Sequence, residues 1–212
     1  MKRVRFIINP ISGGRRKTSI SDIIESEIDK ELFDYEIVTT SQAGEANILA
    51  KQAREEGYDV VVAVGGDGTI NEVAKAIVHS NTALGIIPCG SGNGLARHMM
   101  LPLNVKNAMK VINRYEVGEY DYGIIDGHPF FVTCGMGFDA FVSMKFAESG
   151  KRGPITYVQK VLEEGLKYQP ETYEIRDEHG NRFYKAFLIS CANASQYGNN
   201  AVIAPQASMS DG

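Results

Sequence analysis

Residues 60–72 join an apolar run to three glycines and an aspartate, an order that suits phosphate binding. Gly65, Gly66 and Gly68 allow the backbone to bend and to approach a ligand closely, and the first amides of the following helical pattern can donate to an anion. Asp67 is different, because a carboxylate among such amides would repel a phosphate unless a cation or a water lay between them. The segment therefore indicates a site for a nucleotide that binds together with a metal ion.

Two further turns rich in glycine could make similar contacts. Residues 9–14 follow the first apolar run, and residues 89–97 follow another apolar run and offer Ser91 and Asn93 as side-chain donors. Neither turn contains the Gly-Lys-Ser/Thr of a P-loop, and the glycine spacing is not that of a dinucleotide fingerprint. Asp67 also allows a purely structural interpretation, because aspartate is a common cap of the helix that follows it.

Alternating strand and helix patterns predict that these turns share one edge of a sheet. Apolar runs typical of buried strands cover residues 3–9, 35–40, 58–64 and 84–87, and apolar residues at helical spacing separate them. This succession predicts a parallel sheet with helices on both faces. Because sites in such sheets lie at the carboxyl ends of the strands, we expect the glycine-rich turns to meet there.

The pattern changes near residue 115, where strand-like runs replace the alternation. Residues 122–125 and 129–134 flank Asp126-Gly127, and residues 173–176 and 183–191 flank a second turn, so both pairs are typical of hairpins. A helical pattern at about 155–166 lies between them.

These patterns together predict an α/β fold. It consists of an N-terminal parallel-sheet nucleotide-binding domain at residues 1–115 and the start of a mainly antiparallel β domain at residues 116–212. The chain reaches Ser210-Asp211-Gly212, a turn signal that ordinarily leads into another strand, so we expect the second domain to be truncated.

Composition narrows the class of protein. With 212 residues, 43% of them hydrophobic and 23% charged, the chain can bury a substantial core. The formal net charge of -4 argues against nucleic acid as a partner, since binding to a phosphate backbone normally needs a basic face. The N-terminus does not resemble a signal peptide, and no apolar stretch approaches the roughly 18 residues that span a bilayer. We therefore expect a cytoplasmic protein.

Three motifs in this order carry a family resemblance. They are Asn9-Pro10-x-Ser12-Gly13, then Gly65-Gly66-Asp67-Gly68-Thr69 followed by Asn71-Glu72, then Gly90-Ser91-Gly92-Asn93. The chain resembles, over essentially its whole length, the diacylglycerol kinase catalytic domain family of soluble lipid kinases, which includes bacterial diacylglycerol kinases and sphingosine kinases. The Gly-Gly-Asp-Gly-Thr motif alone is shared with NAD kinases and phosphofructokinases, whereas its combination with Asn-Pro-x-Ser-Gly is much more specific.

The resemblance implies ATP-dependent phosphorylation of a lipid hydroxyl, with ATP and Mg²⁺ along the sheet edge and the lipid alcohol at a membrane surface. Asp67 and Asp121 match acidic positions of a water and magnesium network near the γ-phosphate. Asp211, with the backbone carbonyl of Ser208, resembles a structural magnesium ligand. The residues implied to hold ATP are Asn9, Ser12, Gly13, Thr40, Gly65, Gly66, Asp67, Gly68, Thr69, Asn71, Glu72, Ser91, Gly92 and Asn93.

Two departures leave alternatives open. Gly94 stands where many bacterial diacylglycerol kinases carry an aspartate, and the Gly-Ser-Gly-Asn form is closer to sphingosine kinases, so diacylglycerol and a sphingoid-type lipid are both candidate substrates. In the family the general base lies in an Asp-Gly-Glu-like segment, which we expect beyond Gly212. An NAD kinase-like enzyme and a non-catalytic nucleotide-binding module are the alternative functions. The expected location is the cytoplasm, with peripheral association at the inner face of the membrane as an option, and the oligomeric state stays open.

Overall fold

The computed structural model describes residues 1–12, 18–138, 140, 165 and 168–212, and the N-terminal part alternates strands and helices. Its elements are β1 (Lys2–Ile8), α1 (Thr18–Glu27), β2 (Phe33–Thr39), α2 (Glu45–Glu55), β3 (Val60–Gly65), α3 (Asp67–Ile77), β4 (Ala83–Pro88), α4 (Gly94–His98) and α5 (Val105–Arg114). Each of the four predicted strands lies within one or two residues of its observed bounds.

The first four strands form a parallel sheet in the order β2-β1-β3-β4, which confirms the predicted sheet. Successive residues of a strand point to opposite faces, so Phe6 and Ile7 of β1 enter different clusters of buried side chains. Phe6 packs on the α1 and α5 side with Ile24 and Met109, while Ile7 packs on the α2 and α3 side with Val73. Helices therefore cover both faces, and the carboxyl ends of all four strands lie along one edge.

The described residues group into two compact units, of which the first is discontinuous in sequence. It contains Met1–Val132 together with Asn193–Gly212, and the second contains Thr133–Ala192. Ala194 and Met209 are buried in the same cluster as Val73, so the late segment completes the core of the first unit. A domain boundary at residue 115 stays a prediction.

Short antiparallel pairs follow the parallel sheet, which confirms the mainly antiparallel character predicted for this part of the chain. In the first unit, β5 (Gly123–Ile125) pairs with β6 (His128–Phe130) around the predicted turn. Asp126 and Gly127 have φ angles of 48° and 74°, the left-handed pair that a tight two-residue hairpin requires.

The second unit contains two antiparallel strand pairs. Its strands are β7 (Thr133–Gly137), β8 (Glu171–Asp177), β9 (Gly180–Ala186) and β10 (Leu188–Ala192), and the pairs are β8 with β9 and β7 with β10. The prediction of one strand at 183–191 is wrong, because its two halves pair with different strands and separate at Phe187. The predicted helix at 155–166 lies, apart from Gly165, outside the described residues. None of the described helices combines the length and apolar character that crossing a membrane requires.

Candidate functional site

The turns that follow β3 and β4 touch each other through their glycines. A Cβ added to Gly90 would lie 2.6 Å from Cα of Gly66, and a Cβ added to Gly65 would lie 2.4 Å from Oγ1 of Thr69. Real Cβ atoms do not approach other atoms so closely, so glycine is required at positions 65 and 90. The two turns are thus held backbone to backbone at the carboxyl edge of the sheet, as the strand pattern predicted.

Asn9 joins the turn after β1 to the first turn of α3. Its Nδ2 donates to Oγ1 of Thr69 at 2.9 Å, and its Oδ1 accepts from the amide of Ile11 at 3.1 Å. The amide of Ser12 donates to the carbonyl of Asn9 at 3.4 Å, which tightens the same turn. Gly13, which the resemblance also placed here, lies outside the described residues. Asn9 therefore positions two of the three turns relative to each other.

The end of β2 and the outer face of α3 form the next part of this edge. Thr40 is buried and its amide donates to the carbonyl of Ile8 at 2.9 Å. Glu72 accepts from the amide of Gly44, at the start of α2, through Oε1 at 3.1 Å. Asn71 is half-buried, whereas Gly68 is exposed with open space where a Cβ would point. Thr40 and Glu72 thus make protein contacts that connect neighbouring elements.

Asp67 is the first residue of α3, and its carboxylate points toward α4. Gly66 occupies the N-cap position of α3, so Asp67 is not the N-cap residue of its own helix. Its Oδ1 accepts from the amide of Leu95 at 3.3 Å, and its Oδ2 would lie 3.2 Å from a Cβ on Gly92. The carboxylate therefore occupies part of the amide-rich turn that the sequence suggested for a phosphate.

Burial raises the pKa of Asp67 above its ordinary value of 3.8. The amides of Leu95, Gly94 and Asn93 act in the opposite direction, because they hydrogen-bond to the charged form. Backbone dipoles alone do not compensate the loss of hydration fully, so the carboxylate gains from a cation placed beside it. Carboxylates whose pKa is raised by burial are concentrated at binding and catalytic sites, which makes Asp67 a candidate site residue.

Asn93 closes the turn that follows β4. Its Oδ1 accepts from the amide of Gly90 and its Nδ2 donates to the carbonyl of Gly90, both at 2.9 Å. The residue is buried and has a φ angle of 53°, a left-handed conformation that asparagine tolerates better than most residues. Ser91, by contrast, is exposed at the tip of the turn. The two predicted donors therefore differ, since the Asn93 amide is used within the turn whereas Ser91 is exposed to solvent.

Residues 195–204 cover the same turn, a contact that sequence reasoning missed. The amide of Asn199 donates to the carbonyl of Gly92 at 3.2 Å, and a Cβ on Gly94 would lie 3.0 Å from the carbonyl oxygen of Tyr197. Arg97 donates through Nε to the carbonyl of Gly92 and through Nη1 to Oδ1 of Asn200, each at 3.0 Å. Gly198-Asn199-Asn200 is a recognisable turn signal, but nothing local in it indicates its partner.

Asp121 contacts the last residues of the chain. Its Oδ2 accepts from the amide of Gly212 at 2.9 Å, and its own amide donates to the carbonyl of Met209 at 2.7 Å. Ser208 accepts from the amide of Ser210 through Oγ at 3.2 Å, so the predicted metal ligands at 208 and 211 lie in a folded turn beside Asp121.

Asp67 and Asp121 each hydrogen-bond to backbone amides, and the water and magnesium network that the resemblance places between them stays a prediction. Among the hydrogen bonds of the described residues, none connects Asp121 with Asp67. The described parts of the chain also contain no group of three or more His, Cys, Asp or Glu side chains that could hold a metal ion. Any metal at this edge would therefore take most of its ligands from a bound phosphate, from backbone carbonyls and from water.

Two family descriptions match consecutive parts of the chain. Residues 3–125 match the family described as "Diacylglycerol kinase catalytic domain", and residues 132–212 match "YegS C-terminal NAD kinase beta sandwich-like domain". The first match contains the three glycine-rich turns and Asp121, and the second contains the segment that covers the turn after β4.

Similar proteins carry the same kind of name. The chain is 31% identical over 220 residues to a diacylglycerol kinase of Staphylococcus saprophyticus subsp. saprophyticus, a match that covers 100% of this chain and 70% of that protein. It is 30% identical over 218 residues to a diacylglycerol kinase of Staphylococcus aureus (strain MRSA252), covering 100% of this chain and 68% of that protein.

Solved structures share the fold. The crystal structure of a diacylglycerol kinase from Bacillus anthracis str. Sterne superposes with a TM-score of 0.76 at 24% identity, covering 100% of this chain and 71% of that one. This likeness supports the arrangement of a parallel sheet followed by antiparallel strands.

Proposed function

Since this chain belongs to the diacylglycerol kinase catalytic domain family, we propose that it transfers the γ-phosphoryl group of ATP to the hydroxyl of a lipid alcohol. The observation that carries the proposal is the position of Asp67. Its half-buried carboxylate lies beside the contact between Gly66 and Gly90, at the strand ends where α/β sheets bind nucleotides. Diacylglycerol is the first candidate substrate, because the similar proteins are named for it.

In this proposal the chain contributes mainly positioning and electrostatics. The lipid hydroxyl oxygen attacks the γ-phosphorus and gives up its proton to a general base, while the bond to the β–γ bridging oxygen breaks and ADP leaves. Ser91 and the exposed start of α3 at Gly68 hold the phosphates, while Asn9 and Thr69 keep the turns in place. The other residues of the proposed ATP site are Ser12, Gly13, Thr40, Gly65, Gly66, Asn71, Glu72, Gly92 and Asn93.

Mg²⁺ fits this donor set. The ion usually takes one or two protein carboxylates and completes its shell with phosphate oxygens and water. Asp67 is a carboxylate whose burial is only partly compensated by amides, so it suits a cation that enters with the nucleotide. When bound, Mg²⁺ would neutralise phosphate charge. No described residue is assigned to the removal of the hydroxyl proton.

A second magnesium role is proposed for the turn at residues 208–212. Asp211 and the carbonyl of Ser208 supply oxygen donors, and Asp121 fixes the turn through its bond to Gly212. If this proposal is right, Mg²⁺ should raise the midpoint of thermal unfolding and Asp211→Asn should abolish that rise. An equal rise in both proteins would contradict it.

The activity is tested with the purified protein, Mg²⁺ and ATP against a panel of acceptors. The acceptors are dioleoylglycerol, sphingosine and NAD, and the measurement is ADP release together with transfer of labelled phosphate. We expect release that depends on a lipid alcohol and that Asp67→Asn removes. NADP formation without lipid phosphorylation would favour the NAD kinase-like alternative, and nucleotide binding without any turnover would favour a non-catalytic module.

A further inference from the structure

Met100 is an apolar residue in a conformation that favours glycine. After α4 the amide of Met100 donates to the carbonyl of Arg97 at 3.1 Å, and the amide of Leu101 donates to the carbonyl of Ala96 at 2.8 Å. This bonding pattern is a Schellman motif, in which the residue at position 100 must be left-handed and is usually glycine. Met100 adopts a φ angle of 55° there.

The side chain of Met100 has no packing that would offset the strained backbone. It is 89% exposed, the most exposed of the large apolar side chains in the described residues. Tyr115 and His79 are also left-handed, with φ angles of 51° and 56°, but their rings contact Phe33 and Tyr122 respectively. The strain at Met100 therefore places a large apolar side chain in solvent, which calls for a reason outside the fold itself.

The loop that carries Met100 passes around the edge of the sheet. Met99 and Leu101 pack on the α2 and α3 side, while Val105 at the start of α5 is buried on the opposite side. Because β4 is an edge strand of the sheet, the loop crosses from one face to the other beside that strand. Leu103, the second apolar residue of the crossing, is 41% exposed.

The chain segment that contains this loop carries side-chain charge of one sign. Residues 73–115 contain none of the 26 acidic residues of the chain but five of its 22 Lys and Arg residues. Three of them, Lys106, Lys110 and Arg114, recur every four residues along α5 and are exposed, whereas Val105, Ala108 and Met109 form its buried face. Among the described residues, Glu27 of the neighbouring helix α1 forms a 2.9 Å ion pair with Lys106 of this stripe.

We propose that this surface, formed by Met100, Leu103 and the basic stripe of α5, docks the protein on an anionic lipid bilayer. The combination of exposed apolar anchors with an adjacent row of cations matches the two layers of such a surface, apolar acyl chains below charged head groups. A nucleic acid would match the cations but would offer the exposed Met100 no apolar layer to enter. The choice of a bilayer rests on the lipid kinase activity proposed above.

The first experiment measures co-sedimentation of the protein with vesicles of phosphatidylcholine mixed with phosphatidylserine, without ATP or a substrate lipid. In the double variant Lys110→Gln/Arg114→Gln, each lost charge should weaken partitioning onto the vesicles about fivefold. Rising salt should remove the difference between this variant and the unmodified protein. Met100→Gly should weaken partitioning about tenfold. The same glycine should raise the urea midpoint of unfolding, because it relieves the left-handed strain.

Matched controls separate docking from general charge and from folding. Lys51→Gln/Lys185→Gln removes two exposed charges elsewhere, and Ile48→Ala shortens an apolar side chain that is 54% exposed on α2. Both controls should partition like the unmodified protein. Equal partitioning of the Met100→Gly and double Gln variants with the unmodified protein would overturn the proposal, as would a lack of vesicle binding by the unmodified protein.

A second measurement keeps this proposal apart from the proposed activity. Phosphorylation of a short-chain, water-soluble diacylglycerol should be unchanged in the docking variants, whereas phosphorylation of diacylglycerol embedded in vesicles should fall. Weakened vesicle binding with no turnover on any lipid would leave the docking surface standing and reject the kinase. Turnover on both substrates at the unmodified rate would reject the docking surface and leave the kinase standing.

Discussion

Arg5 and Asp67 are two charged side chains of the first unit that lose contact with water in opposite ways. The Arg5 guanidinium is buried on the sheet, where it donates to Glu36 at 2.6 Å and to Glu56 at 2.9 Å and lies 4.5 Å from the Tyr58 ring centroid. Asp67 at the strand ends accepts from a backbone amide, and the ion pairs of the described residues do not include it.

The directions of the pKa shifts express the difference. The hydrogen bond from Arg5 lowers the pKa of Glu36. Burial alone would lower the pKa of Arg5, but the hydrogen bond to Glu36 contributes to a net rise of that pKa. Burial instead raises the pKa of Asp67. The Arg5 guanidinium has carboxylates beside it, whereas Asp67 has no cation among the ion pairs of the described residues. In the proposed function, the metal ion that accompanies the phosphates would supply that positive charge.

The largest expected effect comes from Asp67→Asn, which should separate activity from stability. Loss of the carboxylate should lower kcat/KM for the lipid substrate by about 10³-fold, the scale of removing one preorganised electrostatic group. At neutral pH the free energy of unfolding should stay equal or rise, because an ionised, under-compensated group is removed. Steady-state kinetics and urea unfolding measure the two quantities. A variant that keeps its activity and loses stability would make Asp67 a structural residue like Arg5.

Gly90→Ala should disrupt the contact between the two turns that flank Asp67. The new Cβ would overlap Cα of Gly66, so the two turns must separate, at a cost of about 3 kcal/mol in the free energy of unfolding. The KM for ATP should rise as well. Gly68→Ala is the matched control for stability alone, since its Cβ meets nothing within 4 Å in a helical position, and its free energy of unfolding should be equal or slightly higher. Equal free energies of unfolding for the two variants would mean that the close approach of the turns has no role in stability.

Arg5→Met should lower stability and leave activity unchanged, the reverse of the result expected for Asp67→Asn. It leaves Glu36 and Glu56 without their partner, but these side chains are 44% and 51% exposed and can regain water. The free energy of unfolding should therefore fall by about 2 kcal/mol.

The KM for ATP should not change in that variant. Lys2→Met breaks a more exposed pair with Asp59 and should cost less stability than Arg5→Met. Denaturant unfolding of both variants, with kinetics of the folded fraction, measures the contrast. A rise in KM for Arg5→Met alone would mean that the two charged regions are coupled.

The smallest effect is the pH dependence contributed by Asp67. Because its pKa in the folded protein is raised, its unfavourable contribution to stability is fully present above that pKa and disappears as pH falls toward the ordinary value of 3.8. The stability difference between Asp67→Asn and the unmodified protein should therefore shrink as the solution is acidified. A difference that grows on acidification would mean that the pKa is lowered, as it is for Glu36.

Strand ends and glycine positions were predictable because their signals are local. An apolar run that stops at Gly65 or Pro88 fixes the end of a buried strand within a residue or two, and the parallel succession then brings the turns to one edge. The hairpin at Asp126 and Gly127 followed from turn chemistry alone.

Partners distant in sequence were not predictable in this way. The carboxylate of Asp67 bonds to Leu95, the turn after β4 is covered by residues 195–204, and Asp121 holds the backbone of Gly212. None of these contacts produces a periodicity or a residue spacing in the sequence, because each depends on how separate elements pack. The split of the predicted strand at 183–191 has the same origin, since only its pairing partners decide where it bends.

The return of Asn193–Gly212 to the first unit also determines when this protein can fold during synthesis. Ala194 and Met209 belong to the cluster that contains Ile70, so a ribosome must translate the entire second unit before that core is complete. Such long separations between contacting residues slow folding, because a large loop must close first. The nascent sheet would meanwhile expose apolar surface, which favours chaperone binding until residue 209 emerges.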